Sequence, residues 1–231
     1  NQHVFHVDIN QNFLDANGQL RPELFGKDRL HLAGAGYDVW YQALQPILKE
    51  AGLTISQSTQ KAAAAPKKEQ VSTPFKESKV RRANPFQDPF ANPIDDPALP
   101  RVLIIGDSIS IGYTTGVRKL LSSKANVHRV KGNCRYSAFG AEHIDSWIGE
   151  GDWDLIHFNF GLWDWYGWSQ EQKATPESYA ANLDQIVTKL KATKAQLIFG
   201  VTTPPCIGPE TKVKIIVTEE RAKAFNDAAL A

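Results

Sequence analysis

Two short segments of this chain carry residue types that together perform hydrolysis. Ser108 closes a Gly-Asp-Ser triplet that directly follows the apolar run 102–105, and Asp28 lies three residues before His31. A serine hydroxyl becomes an effective nucleophile when a neighbouring base removes its proton. A histidine can be that base, and a carboxylate can hold its imidazole in the correct tautomer and stabilise its cation. Ser108, His31 and Asp28 are therefore the predicted nucleophile, general base and orienting carboxylate.

The elements predicted around these residues place the serine at one edge of a sheet. From residue 101 onward, short apolar strands alternate with amphipathic helices, which predicts a parallel sheet with helices on both faces. The predicted strands are 3–9, 102–105, 126–130, 155–160 and 196–201, and the predicted helices are 36–50, 116–122, 141–148, 176–192 and 218–230. Ser108 then follows the carboxyl end of a strand, where the ligand sites of open α/β sheets gather.

Composition excludes several classes of function. A net charge of +1 gives no general attraction to nucleic acid, and no apolar run approaches the length of about 20 residues that spans a bilayer. The other five histidines show no metal-ligand spacing, so we expect no metal and no nucleic-acid partner. The two cysteines, Cys134 and Cys206, are equally consistent with one disulfide bond and with two free thiols.

Residues 54–100 differ in composition from the rest of the chain. They contain seven prolines and four consecutive alanines, with few apolar residues at any regular period. This composition predicts a linker or an arm lying on the surface. Phe75, Phe86 and Phe90 are the residues that we expect to anchor such an arm.

The two chemical segments resemble motif blocks of the SGNH, or GDSL-type, esterase and lipase family. Residues 102–110 match the nucleophile block, and residues 25–32 followed by Gly36 and Tyr37 match the Asp/His block. In this family the Asp/His block lies C-terminal to the nucleophile, so the chain resembles a circular permutant. The resemblance implies a three-layer α/β/α, flavodoxin-like fold with five parallel strands. It also implies hydrolysis of esters, often O-acetyl groups on carbohydrates, without a cofactor.

The permuted order divides the chain into three parts. Residues 1–53 would supply the last strand, the Asp/His block and the last helix, and residues 101–231 the nucleophile block and central strands, joined through 54–100. The helix near the end of the chain and the strand near its start fit as one interrupted connection, which favours a single domain and a monomer. The alternative is the tail of one domain joined to the head of another, with a triad formed only between chains or not at all.

The resemblance further implies an oxyanion hole built from the Ser108 N–H, a glycine after the second family strand and an asparagine in the third block. Cys134 stands near the expected glycine, and Trp163 stands where the family has its asparagine. An indole donates only through its ring N–H, so we expect Asn133 or Asn159 to supply the missing donor. Loss of one such donor costs about 100- to 1000-fold in rate. A carbohydrate-binding relative without catalysis therefore stays open as an alternative.

An aromatic cluster follows the predicted strand 155–160. Its rings suit sugar rings or an acyl chain, although core packing under a loop is the alternative. The predicted substrate-binding residues are Asp107, Trp163, Asp164, Trp165 and Tyr166. The expected substrate is a small-molecule or polysaccharide ester, with acetyl on carbohydrate as the first choice. An exported or periplasmic location follows only from that substrate and from the possible Cys134–Cys206 disulfide, and the compartment is otherwise unknown.

Overall fold

A computed structural model describes residues 4–50, 83–166, 174–204 and 219–231. Its strands are β1 (Val4–Val7), β2 (Arg101–Ile105), β3 (Asn126–Arg129), β4 (Leu155–Phe158) and β5 (Gln196–Gly200). They form one sheet in the order β1-β5-β4-β2-β3, and every neighbouring pair is parallel. The predicted five-stranded parallel sheet is thus confirmed, with strand ends shifted by one or two residues.

The described residues include six α-helices beside the sheet. They are α1 (Gly34–Glu50), α2 (Ser108–Leu120), α3 (Ser137–Ile148), α4 (Leu162–Tyr166), α5 (Pro176–Ala192) and α6 (Glu219–Leu230). The prediction that α2 starts at residue 116 was wrong, because the helix begins eight residues earlier, at Ser108. Residues 109–116 are rich in β-branched residues, serine and glycine, which favour helix weakly. The Asp107 side chain caps this helix by accepting the Ile109 N–H, and that cap offsets the weak propensity.

The helices form two layers, one on each face of the sheet. On one face, Leu44 of α1 and Val117 of α2 line a small apolar space together with Ile104 of β2. On the other face, Leu183 of α5 lies beside Phe158 of β4, and both α3 and α6 pack against α5. The predicted three-layer α/β/α arrangement is therefore confirmed.

The segment 4–50 joins the rest of the molecule through a strand pairing and a helix packing. β1 pairs with β5 so that Val7 lies opposite Gly200. On the face above, Tyr37 of α1 lies directly against Gly112 of α2, where a Cβ atom would be 2.0 Å from the Tyr37 hydroxyl. A Cβ on Gly200 would be 2.8 Å from the Trp40 ring. Two glycines therefore provide the space in which α1 approaches the sheet and α2.

The part of the predicted linker that the structure describes, residues 83–100 (hereafter the strap), lies along the edge strand β3. The Arg118 side chain donates to the Pro85 carbonyl and to the Asn92 side chain, both at 2.9 Å. Asn126 of β3 donates to the carbonyl of Asp96 at 2.8 Å. Polar side chains thus cover a sheet edge that would otherwise present unpaired backbone groups.

The predicted aromatic anchors contribute less than these polar contacts. Phe86 and Phe90 remain 39% and 38% exposed, although the Phe90 ring lies 5.4 Å from the Arg129 guanidinium. Phe75 lies outside the described residues, as does Cys206.

The packing of α1 on α2 predicts opposite effects for two glycine substitutions on one helix. Gly112→Ala places a methyl group against Tyr37 and should lower the free energy of unfolding by about 1–3 kcal/mol. Gly116→Ala is the matched control, because a Cβ there meets no atom within 4 Å, and it should raise stability by about 0.5–1 kcal/mol. Urea unfolding measures both. Equal stabilisation by the two substitutions would show that α1 does not pack on α2 in this chain.

Candidate active site

Ser108 is held at a sharp turn between β2 and α2. The turn is close-packed, since a Cβ atom on Gly106 would lie 3.0 Å from Cβ of Ser110. Asp107 precedes Ser108, and its buried carboxylate accepts the Ile109 N–H at 2.9 Å. Ser108 is therefore the first residue of α2, where backbone N–H groups have no partner within the helix.

Asp28 and His31 lie on a loop that is closed at its base by backbone hydrogen bonds. The Gly26 N–H donates to the His31 carbonyl at 2.6 Å, and Arg29 adopts a positive φ of 53° at the tip. Asp28 Oδ1 accepts the N–H groups of Leu30 and His31, both at 3.1 Å. These contacts fix the carboxylate so that its other oxygen faces the imidazole.

The loop brings three side chains into one line of contacts. His31 Nε2 lies 2.9 Å from Ser108 Oγ, and His31 Nδ1 lies 2.6 Å from Asp28 Oδ2. Burial acts to raise the pKa of Asp28, but hydrogen bonds from His31 and from two backbone N–H groups outweigh it and hold that pKa below its ordinary value. The side chains of His31 and Asp28 are 40% and 51% exposed, so the line of contacts opens to solvent.

Three of the five predicted substrate-binding residues are buried and serve the fold instead. Asp107 and Asp164 are each 2% exposed, and Trp165 is 1% exposed. Asp107 caps α2, as described above, and Asp164 accepts the Ser137 N–H and hydroxyl at the start of α3. Substrate contact by these three side chains finds no support in their placement, because Asp107 and Asp164 cap helices and Trp165 packs in the core.

Trp163 and Tyr166 remain partly exposed on α4. Burial raises the pKa of Tyr166, and the negative charge of Asp28 raises it further, so this phenol lies within electrostatic reach of the Asp28 loop. These two aromatic residues are the part of the predicted cluster that can meet a ligand. Residues 167–168, which complete that cluster, lie outside the described part of the chain.

Some of the predicted oxyanion donors already donate to other groups in the fold. The Cys134 N–H donates to the Gly106 carbonyl at 3.2 Å, so Cys134 is a poor candidate and that expectation is corrected. The Asn159 side chain donates to the Gly200 carbonyl at 2.6 Å, which ties it to β5. Among the described residues, the Asn133 side chain uses only its oxygen, which accepts the Arg135 N–H at 2.9 Å.

Cys134 is a free cysteine with a fully buried side chain. Burial raises the pKa of its thiol to about 12, which leaves it protonated and unreactive near neutral pH.

Sequence analysis missed Arg129, a buried residue behind the nucleophile turn. Its guanidinium donates to the Gly106 carbonyl at 3.2 Å and to the Ser110 hydroxyl at 2.6 Å. The signal was an arginine inside a strand that pairs with apolar β2, where a cation has to find polar partners.

Within the described residues, no cluster of three or more histidine, cysteine or acidic side chains could hold a metal ion. The same residues include no helix that is both long and apolar enough to cross a membrane.

No protein-family model matches this sequence, and no curated protein matches it. Twenty-three solved chains match its structure. An acetyl xylan esterase, AlAXEase, is 12% identical over 56% of this chain and 70% of its own, with a TM-score of 0.47. A GDSL-like lipase from Bacteroides thetaiotaomicron is 15% identical over 56% and 62%, with a TM-score of 0.48. A lipase/acylhydrolase from Enterococcus faecalis is 17% identical over 57% and 69%, with a TM-score of 0.44. These three neighbours are named as an acetyl xylan esterase, a GDSL-like lipase and a lipase/acylhydrolase, and none is more than 17% identical to this chain.

The burial of Asp164 predicts a pH dependence of stability. Burial raises the pKa of this carboxyl from an ordinary 3.8 to about 6. The stability linked to its bound proton is fully present below pH 3.8 and is lost as the pH rises through 6. Asp164→Asn cannot titrate, so between pH 4 and pH 7 its free energy of unfolding should fall by about 2 kcal/mol less than that of wild type.

Urea unfolding across that pH range measures the difference between wild type and Asp164→Asn. Asp184→Asn removes an exposed carboxylate of α5 and controls for the loss of one surface charge. If the free energy of unfolding changed with pH equally in wild type and Asp164→Asn, the raised pKa of the buried Asp164 carboxyl would be contradicted.

Proposed function

We propose that this protein is a serine esterase of the SGNH type. Ser108 acts as the nucleophile, His31 as the general base and then acid, and Asp28 as the orienting carboxylate. The observation that carries the proposal is the unbroken line of contacts of 2.9 Å and 2.6 Å, the first of which joins residues 77 positions apart in the chain. Such a line is the arrangement that activates a serine hydroxyl.

The reaction would proceed by two acyl transfers. As Ser108 Oγ attacks the ester carbonyl carbon, His31 Nε2 takes its proton, and the carboxylate of Asp28 stabilises the imidazolium. The tetrahedral intermediate then expels the alkoxide, which takes the proton from His31 and leaves as an alcohol. A water molecule gives its proton to His31 and attacks the acyl-serine, and return of that proton to Ser108 releases the carboxylic acid.

The oxyanion is assigned to the Ser108 N–H, with the Asn133 carboxamide as the second donor. The first residue of a helix offers an N–H that is not used within the helix. Asn133 belongs to the loop after β3, and its neighbour Cys134 ties that loop to the same turn through the Gly106 carbonyl. Cys134 is left out of this assignment because its N–H already donates to Gly106.

The proposed substrate is a short-chain ester, with acetyl on carbohydrate as the first choice. The exposed His31 and Asp28 side chains suit a small acyl group presented by a large alcohol. Trp163 and Tyr166 offer partly exposed aromatic surface on α4, and Tyr166 lies within electrostatic reach of Asp28. Aromatic faces suit the apolar faces of sugar rings.

The proposed domain organisation is a single permuted domain in which residues 1–53 complete the fold of residues 101–231. The pairing of β1 with β5 and the contact of Tyr37 with Gly112 support it. A monomer would then carry a whole site.

A carbohydrate-binding protein without turnover is the second candidate. The engaged Cys134 N–H and the tie of Asn159 to Gly200 favour it, because both reduce the donors available to an oxyanion. This candidate would bind sugar equally well after Ser108→Ala.

Hydrolysis of p-nitrophenyl acetate tests the proposed mechanism. Ser108→Ala should lower kcat at least about 1000-fold, and Asp28→Asn about 1000- to 10,000-fold, because an asparagine holds the imidazole in the wrong tautomer. Asp38→Asn, on the exposed side of α1, is the matched control and should leave kcat unchanged. A folded wild type with no turnover, or equal rates for wild type and Ser108→Ala, would contradict the esterase and favour the binding protein.

Mixing two inactive variants tests the single-domain assignment. Ser108→Ala and His31→Ala each lack one member of the triad, and in a monomer the mixture should stay as inactive as either variant alone. If the site forms between two chains, mixed dimers recover a complete triad, and activity should return with increasing protein concentration. That recovery would overturn the permuted domain in favour of two partial domains.

A further inference from the structure

The Arg129 side chain lies behind the nucleophile turn and is 1% exposed. One terminal nitrogen donates to the carbonyls of Val130 and Gly132, at 2.8 and 2.7 Å. The other donates to the Gly106 carbonyl at 3.2 Å and to the Ser110 hydroxyl at 2.6 Å. A single guanidinium therefore links the loop after β3 to the turn that holds Ser108.

Ser110 passes this contact on to a specific peptide group. Its hydroxyl accepts from Arg129 and donates to the Asp107 carbonyl at 2.7 Å. The Asp107 carbonyl and the Ser108 N–H belong to the same peptide unit. A hydrogen bond to the carbonyl of a peptide unit polarises that unit, and chains of such bonds strengthen one another in a low dielectric.

The cation at the head of this chain of bonds is expensive to bury. Among the described residues, Arg129 forms no ion pair within 4.0 Å, and its partners are carbonyl and hydroxyl oxygens. A buried charge held in this way costs stability unless its hydrogen bonds are well made. The positive charge is linked to the peptide unit of the Ser108 N–H through the Ser110 hydroxyl and the Asp107 carbonyl.

The strap holds this arginine in position from outside. The Asn92 side chain accepts the Arg129 N–H at 2.9 Å and donates to the Arg129 carbonyl at 3.1 Å. Asn92 also accepts from Arg118 at 2.9 Å. The strap therefore fixes the backbone from which the Arg129 side chain reaches the turn.

We infer that Arg129 and Ser110 form a positioning relay that orients and polarises the Ser108 N–H as an oxyanion donor. The relay runs from Arg129 through the Ser110 hydroxyl to the Asp107 carbonyl, and Asn92 holds it at the strap. The effect of the relay on catalysis rests on the proposed esterase activity. Its effect on the Ser108 peptide unit does not depend on that activity. Neither residue touches substrate, so both act through the Ser108 backbone.

Ser110→Ala tests the relay with little risk to the fold, because it removes one hydroxyl. An entire oxyanion donor is worth about 100- to 1000-fold in rate, and a weakened donor should cost less. We expect kcat for p-nitrophenyl acetate to fall about 10- to 100-fold with KM changed less than about threefold. Thr114→Val is the matched control, since it removes a buried hydroxyl one turn later that donates to the Ser110 carbonyl. It should leave kcat unchanged.

Two arginine variants and one strap variant extend the test. Arg129→Lys keeps the charge but loses the planar fork, so it should lower kcat less than Arg129→Met. Asn92→Ala should lower kcat in the same direction as Ser110→Ala, with KM again little changed. A fall in KM and kcat together, or no change in kcat for Ser110→Ala in an active wild type, would overturn the relay.

An NMR measurement on the free protein tests the relay independently of the proposed esterase activity. The ¹⁵N chemical shift of the Ser108 amide responds to hydrogen bonding at the Asp107 carbonyl. It should move in Ser110→Ala and stay in place in Thr114→Val. If the shift moves in Ser110→Ala while the wild type shows no turnover, the relay is supported and the esterase proposal is contradicted. If the shift does not move in Ser110→Ala, the relay is overturned whatever the activity.

Discussion

The parallel pairing of β1 with β5 is the constraint on which the candidate site depends. It aligns Val7 with Gly200 and thereby sets the direction in which the chain leaves β1 toward the Asp28 loop and α1. α1 then returns across the sheet and comes against α2 at Gly112. Since α2 starts at Ser108, the packing of these two helices controls the distance between His31 and Ser108. The 2.9 Å contact is therefore a product of tertiary packing rather than of local sequence.

The carboxyl ends of the central strands also concentrate buried charge. Burial raises the pKa of both Asp107 and Asp164 to about 6, and both carboxylates cap the start of a helix. The Arg129 guanidinium lies near Asp107 and opposes that rise. Burial of charged groups at this edge of the sheet therefore lowers stability. The same groups hold the backbone N–H groups at the helix starts in fixed orientations. Fixed donors are what electrostatic stabilisation of a transition state requires.

Sequence patterns predicted the fold and the triad candidates for separate physical reasons. Buried parallel strands such as 102–105 are continuous apolar runs, so period and composition reveal them directly. The chemistry of Ser108, Asp28 and His31 is visible in their residue types. The burial of Trp165 and Asp164 was not predictable, because an aromatic or acidic residue after a strand serves a cap or a core as readily as a ligand. The early start of α2 depended on the Asp107 cap and on packing against Tyr37, and neither has a periodic signal.

The exposure of the triad candidates and the burial of the relay divide the site into two environments. His31 and Asp28 lie at the surface, where water screens charge and assists the Asp28 carboxylate in stabilising an imidazolium. The Ser108 peptide is supported from a dry interior, where Arg129 acts through a lower dielectric and each hydrogen bond is stronger. In such a site, proton transfer would be sensitive to solvent and salt, and oxyanion stabilisation would be insensitive to both. Among the described residues, the strap hydrogen-bonds to Arg129 and forms no hydrogen bond with His31 or Asp28, so it would influence only the second of these two functions.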